Sequence, residues 1–283
     1  MRRCLDAVEK STPREALQVI VLDPGMHDTS TQWDIDHPDV EFLRMPRNFG
    51  ATKALSIGIR SAKAELLFFL DPAVEIKKDT IAKLVEALER NPESGAVCPL
   101  LVDGAGVAVP QIRQLPSRGD LSRLWQDENA LTAATPQAVG APIPVEYPGR
   151  KALLIPLPFL KGMNYFDARY GEWGGDLELA FQIHHASKKA YIVPDVTTLD
   201  HSASEPQPSF DSGQRATLTA DRLNGVAHYI GKRSGFFAGI WMRIQAVLIT
   251  LVRALTFQDA GYNWSLLFDL LNGKKIDGSQ ANL

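Results

Sequence analysis

The chain has 283 residues, of which 45% are apolar and 22% are charged, and its formal net charge is −3. These values are typical of a globular protein, and they argue against a dedicated nucleic-acid binder, which usually has a strongly basic face. The charge is unevenly spread, because residues 215–275 contain eight Lys or Arg and three Asp. We therefore expect an anionic partner for the C-terminal part.

Cysteine usage and the N-terminal residues indicate the reducing cytosol. Cys4 and Cys98 are the two cysteines, and their spacing predicts neither a disulfide framework nor a zinc site. Charges interrupt residues 1–10 too early for the apolar core of a signal peptide. No stretch of about twenty residues is free of charge, so no membrane-spanning helix is predicted.

The first half of the chain alternates between helical and strand patterns. Residues 1–10 suit an amphipathic helix, and two further helices are predicted at about 48–62 and 79–90, the second capped by Asp79. Apolar runs bounded by turn residues predict four buried strands, at 17–22, 40–45, 66–70 and 96–102. Such strands are typical of a parallel sheet with helices on both faces. We therefore predict an α/β fold with a mostly parallel, Rossmann-like sheet.

The second half begins with an irregular segment, residues 103–148, in which one short helix near 121–125 is predicted. Further elements are predicted after it: strands at 151–156 and 191–194, and helices at 176–187, 214–231, 236–257 and 262–271. A Pro/Ser-rich linker separates the last three helices from the rest. We expect one α/β domain over residues 1–205, followed by a linker and a basic helical extension over 206–283.

Four segments resemble, in their order, the inverting family-2 glycosyltransferases of the GT-A type, especially rhamnosyltransferase-like members. These segments are Val19–Gly25, Arg47–Gly58, Leu67–Val74 and Tyr165–His201. The resemblance implies transfer of a sugar from a nucleotide-diphosphate sugar of the UDP or dTDP type. It also implies a saccharide or lipid-linked acceptor and a role in the synthesis of cell-surface polysaccharide.

The donor-binding residues are implied by the same resemblance, and they lie where open α/β sheets bind ligands, at the carboxyl ends of strands. Asp23 and Gly25 occupy the place of the nucleotide-base site, and Asn48 and Lys53 belong to the helix start that faces the donor. Asp71 occupies the place of the first carboxylate of the Asp-x-Asp motif. With His201 it would hold a divalent metal, Mn²⁺ or Mg²⁺.

Asp176 is the candidate catalytic base, because transfer to an acceptor hydroxyl requires removal of its proton. The residue follows the glycine-rich turn 171–175 at a predicted helix start, where backbone N–H groups can orient a carboxylate. Its simpler role would be to cap that helix. The family resemblance favours the base.

The chain departs from the family pattern at several positions. Ala73 replaces the second carboxylate of the Asp-x-Asp motif, Gly175 replaces the acidic residue before the base, and Gln182 replaces a basic residue after it. Glu75 would point the same way as Ala73 in an extended chain. The family's first strand is also not recognised before residues 2–8. These departures weaken the expectation of a metal cofactor.

Residues 236–257 present an apolar helical face, with Arg243 and Arg253 lying off it. This face would either pack on the domain or seat a cytoplasmic protein peripherally on the inner face of the membrane. Three functions therefore remain: an active glycosyltransferase, a non-catalytic relative that binds a nucleotide sugar or a partner protein, and an unrelated dinucleotide-binding oxidoreductase. No G-x-G-x-x-G pattern follows a predicted strand, which disfavours the third.

Overall fold

The computed structural model describes residues 1–24, 30–126, 131–147, 149–204 and 209–278. Helices and strands alternate through its N-terminal half. They are α1 (Arg2–Glu9), β1 (Val19–Asp23), α2 (Ser30–Asp36), β2 (Val40–Arg44), α3 (Ala51–Ser61), β3 (Leu66–Leu70), β4 (Val74–Glu75), α4 (Thr80–Arg90) and β5 (Ser94–Val102), with a 3-10 turn at Arg14–Ala16.

The second half contains short strands first and long helices last. Its elements are β6 (Ile112–Arg113), α5 (Leu121–Gln126), β7 (Thr132–Ala134), β8 (Ile143–Val145), β9 (Ala152–Pro156), α6 (Leu157–Gly162), α7 (Gly175–His185), β10 (Lys189–Asp200), α8 (Ser212–Ser234), α9 (Phe236–Leu255) and α10 (Ala260–Leu271).

The predicted helices and strands are present, and most of their ends lie within a few residues of the prediction. The last strand is the exception, because β10 continues to Asp200. The sequence did not reveal α2, α6 or the short strands β4, β6, β7 and β8. These elements have between two and seven residues, which is too short for a hydrophobic period to show.

Asp79 does not cap α4 with its side chain, which corrects one prediction. It occupies the N-cap position, but its backbone angles are φ −102° and ψ 3° instead of the extended values that a capping side chain requires. Its carboxylate instead forms an exposed ion pair with Lys83 at 2.5 Å, one turn along the helix.

The α/β fold class is confirmed, but the sheet is more mixed than expected. Its strand order is β3-β9-β5-β10-β4, with β8 also paired to β10. The pairs β1–β2 and β5–β10 are parallel, whereas β9 runs antiparallel to both β3 and β5. The reason is that β9 is reached from β5 through the irregular segment and not through a right-handed helical crossover, which a parallel neighbour would require.

A break in hydrogen bonding separates the β1–β2 pair from the larger sheet. Among the described residues, β1 pairs with β2 and β3 pairs with β9, and no strand pairing joins β1 to β3. Every residue of β1 and β3 is only half-buried, although both strands are almost entirely apolar. By contrast, β5 is buried from Gly95 to Val102.

The C-terminal helices share a core with the sheet domain. The largest apolar cluster combines Leu121, Trp125, Tyr147 and Leu177 with side chains of α8, α9 and α10, among them Leu223, Met242 and Leu266. The last three helices also pack against one another. This shared core positions α8 beside the start of α7, where the candidate base lies.

Candidate active site

Asp71 lies in the turn that follows β3. Its Oδ1 accepts a hydrogen bond from the N–H of Ala73 at 2.9 Å, and its own N–H donates to the Lys151 carbonyl at 2.7 Å. The N–H of Val74 closes the turn by donating to the Asp71 carbonyl at 2.9 Å. The half-buried carboxylate therefore stands at the predicted edge of the sheet.

His201 is brought to the same edge by the pairing of β10 with β4. Its N–H donates to the carbonyl of Ala73 at 2.9 Å, so Ala73 lies between His201 and Asp71. The imidazole Nε2 is 2.9 Å from Oε2 of Glu75, and Nδ1 is 3.5 Å from Nη1 of Arg3. Glu75 and Arg3 are thus additional members of this group, and Arg3 was not a sequence candidate.

The two contacts of His201 favour one assignment of its ring proton. A guanidinium offers only donors, so the nitrogen facing Arg3 must present its lone pair. In that assignment the proton lies on Nε2 and points at Glu75. A metal ion binds the unprotonated nitrogen of a neutral imidazole, so it would displace either this proton or the Arg3 guanidinium.

Two carboxylates, those of Asp71 and Glu75, lie near His201. Oδ1 of Asp71 is engaged by Ala73, which itself has no ligand atom. Among the described residues, the His/Asp/Glu triad with its ligand atoms within 4.8 Å of one another is Asp6, Glu9 and His37, not a set containing Asp71. The assignment of Asp71 and His201 as ligands of a divalent metal stays a prediction.

Asp23 is the last residue of β1, and Asn48 lies in the turn before α3. Asp23 ends β1, and its carbonyl accepts a hydrogen bond from the N–H of Met45 at 2.8 Å. Oδ1 of Asn48 accepts a hydrogen bond from the N–H of Gly50 at 2.9 Å, which forms the turn before α3. Gly25, the other predicted base-site residue, lies outside the described residues.

Lys53 is exposed on the first turn of α3. Its Nζ lies 3.9 Å from the ring centroid of Phe49, a distance at which a cation is attracted to the aromatic face. Asn48, Phe49 and Lys53 consequently share one end of α3. Their role toward the donor stays a prediction.

Asp176 is the second residue of α7, and its carboxylate does not cap the helix. Gly174 occupies the N-cap position with φ 103°, a left-handed conformation that favours glycine. Oδ1 of Asp176 accepts from the N–H of Leu177 at 3.1 Å, and Oδ2 accepts a very short hydrogen bond from the hydroxyl of Tyr147. The half-buried carboxylate is thus oriented from two sides.

Tyr147 is the residue of this site that sequence reasoning missed most clearly. It is buried, and both its burial and the neighbouring Asp176 carboxylate raise its pKa well above the usual value, so the phenol stays protonated and donates. The Arg113 guanidinium lies 5.6 Å from the centre of its ring. Tyr147 belongs to the irregular segment, where no periodic pattern marked it.

Glu172 connects the base side of the site with α3. Its Oε2 accepts from the N–H of Ala51 at 2.8 Å, at the first turn of α3, and its Oε1 accepts from Arg150 at 2.6 Å. Burial alone would lower the pKa of Arg150, but the carboxylates of Glu172 and Asp176 outweigh it and raise that pKa. The sequence showed Glu172 in the glycine-rich turn without indicating its partners.

Asp221 of α8 fixes the same turn from the other side. Its two carboxylate oxygens accept from the N–H of Trp173 at 2.9 Å and from the N–H of Ile276 at 2.8 Å. A Cβ on Gly171 would lie 1.9 Å from Oδ1 of Asp221, so this close approach requires glycine. Burial, reinforced by the charge of Glu172, raises the pKa of Asp221 to about 6.

These contacts place the site residues in two groups. Asp71, Glu75, His201 and Arg3 form a charged group at the end of β3, which we name the Arg3 cluster. Asp176 and Tyr147 form the second group, joined to α3 through Glu172. Chemically, the second group offers an oriented carboxylate as proton acceptor, and the first offers a fixed cation beside carboxylates.

The helix α9 exposes most of its apolar face. Eight of its large apolar side chains are between 38% and 82% exposed: Phe236, Phe237, Ile240, Trp241, Ile244, Leu248, Val252 and Leu255. By length and composition alone α9 is a candidate membrane-spanning helix, with a mean hydropathy of 1.5. Length and composition do not show a span, so the expectation of no membrane-spanning helix stays a prediction.

Comparison with known proteins finds a matching family model and a similar protein of known activity. Residues 1–140 match the family model described as glycosyl transferase family 2. The chain is 27% identical over 251 residues to the N-acetylglucosaminyl-diphospho-decaprenol L-rhamnosyltransferase of Mycobacterium tuberculosis strain CDC 1551 / Oshkosh, a match that covers 80% of this chain and 81% of that protein. The same match is found in strain H37Rv.

Solved structures show the same fold at low sequence identity. The mannosyltransferase PcManGT from Pyrobaculum calidifontis, in complex with GDP-Man and Mn²⁺, has a TM-score of 0.50 and 17% identity, covering 96% of this chain and 81% of its own. S. aureus TarS 1-349 has a TM-score of 0.53 and 12% identity, covering 96% and 88% of the two chains.

Proposed function

We propose that this chain, which is a glycosyltransferase of family 2, transfers a sugar from a nucleotide-diphosphate donor to a lipid-linked saccharide with inversion. The observation that carries the proposal is the oriented carboxylate of Asp176, which receives hydrogen bonds from Tyr147 and from its own helix. A carboxylate held in this way accepts the proton of an acceptor hydroxyl without having to be ordered first.

The reaction follows from the two groups of the site. The acceptor oxygen attacks the anomeric carbon of the donor from the face opposite the diphosphate, its proton passes to Asp176, and the bond from the anomeric carbon to the diphosphate oxygen breaks. The donor is assigned to the edge that carries Asp23, Asn48, Lys53 and Asp71. Neutralising the leaving diphosphate requires positive charge at that edge.

The acceptor class is suggested by the mycobacterial relative, whose name specifies a GlcNAc-diphospho-decaprenol acceptor. An acceptor on a lipid carrier stays at the membrane, so an enzyme that uses it gains from lying on the membrane surface. The exposed face of α9 provides apolar area, and the exposed Arg243 provides positive charge for anionic lipid. We infer a cytoplasmic protein peripherally attached to the inner face of the membrane.

The test of this function is a transfer assay with purified protein. Candidate UDP and dTDP sugars are incubated with a GlcNAc-diphosphate lipid in detergent, and release of the nucleotide diphosphate is measured with and without the acceptor. We expect release that depends on the acceptor and that is lost in Asp176→Asn. Acceptor-independent release that survives in this variant would contradict the proposal.

A non-catalytic relative is the alternative that particular residues favour. Ala73, Gly175 and Gln182 replace three polar residues that the family pattern expects, and Gln182 is hydrogen-bonded to Glu178 at 3.0 Å inside α7. Such a protein would bind the nucleotide sugar and show no acceptor-dependent release. The same assay, combined with calorimetric titration of UDP and dTDP, therefore separates the two functions.

A further inference from the structure

A cavity of about 380 Å³ opens at the corner where α8 ends and α9 begins. Its inner part is apolar, because it is lined by the buried side chains of Ile230 and Met242. Its walls include three exposed aromatic side chains, those of Phe236, Phe237 and Trp241. No Asp or Glu of the described chain is among the lining residues. The corner thus combines an apolar base with aromatic sides and no acidic lining.

Positive charge reaches this cavity from Arg118, which lies in the irregular segment before α5. Its guanidinium donates a hydrogen bond to the Ser234 carbonyl at 2.7 Å, which joins this segment to the last residue of α8. The nearby carboxylate of Asp120 is engaged elsewhere, by Ser117 at 2.7 and 2.8 Å and by Arg123 at 3.2 Å. Arg118 is exposed and its hydrogen bond is to an uncharged carbonyl, so its charge is available to an anion.

The start of α9 adds hydrogen-bond donors to the same cavity, which is lined by residues 235–238. Gly235 occupies the N-cap position with φ 99°, and no side chain of the described residues caps the helix. The first N–H groups of a helix have no acceptor within it, and the helix dipole places partial positive charge there. A guanidinium binds phosphate oxygens through paired N–H donors. Arg118 and the helix start therefore converge on a site that suits a phosphate.

The apolar surface that leaves the cavity indicates which phosphate compound fits. Phe237, Trp241, Ile244 and Leu248 follow one another at intervals of three or four residues, so they form one exposed stripe along α9. The aromatic residues lie beside the cavity, and the aliphatic residues lie farther along the helix. Tryptophan is favoured at the level of lipid headgroups. A free phosphate would leave the stripe in water, whereas the acyl chains of a phospholipid would cover it.

We propose that this corner binds the headgroup phosphate of an anionic phospholipid. Arg118 and the start of α9 hold the phosphate, and Phe237 and Trp241 lie beside the acyl chains. The inference rests on the proposed function and deepens it, because it names the lipid and the residues through which the α9 surface meets the membrane.

The same corner is connected with the base side of the active site. Nζ of Lys232, in the last turn of α8, contacts Oε1 of Glu178 at 2.6 Å. Glu178 is buried in the first turn of α7, two residues after Asp176. A phospholipid at the corner therefore orients the helix that carries the candidate base relative to the membrane, where a lipid-linked acceptor lies.

The experiment is calorimetric titration of the full chain with dihexanoyl phosphatidylglycerol below its micelle concentration, where the lipid is present as single molecules. We expect saturable binding that is weakened about tenfold in Arg118→Gln, because a hydrogen bond between charged groups is lost. Arg118→Lys keeps the charge and is expected to recover part of the affinity. Inorganic phosphate and glycerol phosphate, which have no acyl chains, are expected to bind at least about tenfold more weakly than the lipid.

Arg243→Gln is the matched control, because Arg243 is an exposed arginine of α9 that does not line the cavity. The substitution removes the same charge, and at physiological salt it is expected to change the affinity for the short-chain lipid by less than about twofold. Circular dichroism of each variant confirms that it is folded.

Equal affinities of Arg118→Gln and Arg243→Gln for the lipid would overturn this inference. Inorganic phosphate that binds as tightly as the lipid would also overturn it, since the corner would then hold an adventitious ion only. So would an unmodified chain that binds no lipid and forms dimers in sedimentation velocity, because a second copy would then cover the apolar face. The transfer assay in detergent needs no bilayer, so transfer without phospholipid binding contradicts this inference alone, and phospholipid binding without transfer contradicts the proposed function alone.

Discussion

The hydroxyl of Tyr147 donates a hydrogen bond to Oδ2 of Asp176, across 29 positions of the chain. The phenol stays protonated because burial and the carboxylate both raise its pKa. It therefore acts as a permanent donor that holds one oxygen of Asp176, while the N–H of Leu177 holds the other. This relationship leads to the first two predictions.

Asp176→Asn is expected to abolish transfer while leaving donor affinity within about twofold, because a base acts on the acceptor and not on the donor. General-base catalysis contributes about 10²- to 10⁴-fold to a rate, so kcat is expected to fall by that amount. Acceptor-dependent nucleotide release and calorimetry are the two measurements. The control is Asp39→Asn, at an exposed loop aspartate before β2. Full activity in Asp176→Asn would show that Asp176 is not the catalytic base.

Tyr147→Phe is expected to lower kcat about tenfold with an unchanged KM for the donor, since one hydrogen bond to a charged group is lost. Steady-state kinetics separate this effect from a change in binding. Tyr165→Phe is the control, because the Tyr165 ring contacts Arg60 and lies on a different segment. An unaltered kcat with a lowered melting temperature would mean that Tyr147 serves only the stability of the fold.

Glu172→Gln is expected to lower the free energy of unfolding by about 1 to 2 kcal/mol and to weaken donor binding. The substitution removes the charge that pairs with Arg150 and that accepts the N–H of Ala51, both partly shielded from water. Urea denaturation gives the first quantity and calorimetry the second. Glu86→Gln, in an exposed pair with Arg90, should change neither. Equal effects of the two substitutions would contradict the structural role of Glu172.

The double substitution Phe237→Asp and Trp241→Asp is expected to reduce co-sedimentation with anionic liposomes at low salt by at least about tenfold. These side chains are 82% and 59% exposed, so they contribute apolar area to a membrane contact at little cost to the fold. Val139→Asp, at another exposed apolar position, is the control. If the double variant sediments like the control, α9 is not the membrane contact.

The pKa of Asp221 produces a pH dependence of stability. Its folded value of about 6 lies above its ordinary value of 3.8. Between these two values the folded state therefore binds more protons than the unfolded state, and the free energy of unfolding falls as the pH rises. Asp221→Asn is expected to flatten the curve between pH 4 and 6, by at most about 3 kcal/mol. Urea denaturation across this pH range measures the free energy of unfolding of both proteins. Parallel curves for the unmodified chain and for Asp221→Asn would contradict this prediction.

The sequence by itself determined the elements that build the sheet and the residues at their ends. Continuous apolar runs predicted β1, β2, β3 and β5 because a strand buried on both faces must be apolar at every position. The same runs placed Asp23 and Asp71 at strand ends, and the glycine-rich turn placed Asp176 at a helix start. These features depend on short segments, so their signals are local.

Only the tertiary structure decided which distant groups meet. Arg3 and His201 are 198 positions apart, Glu172 and Ala51 are 121 apart, and no local period encodes such contacts. The antiparallel direction of β9 also depended on the path of an irregular segment. Hydrophobic periodicity records how each segment is buried, whereas the partner of a polar side chain depends on how the segments are packed together.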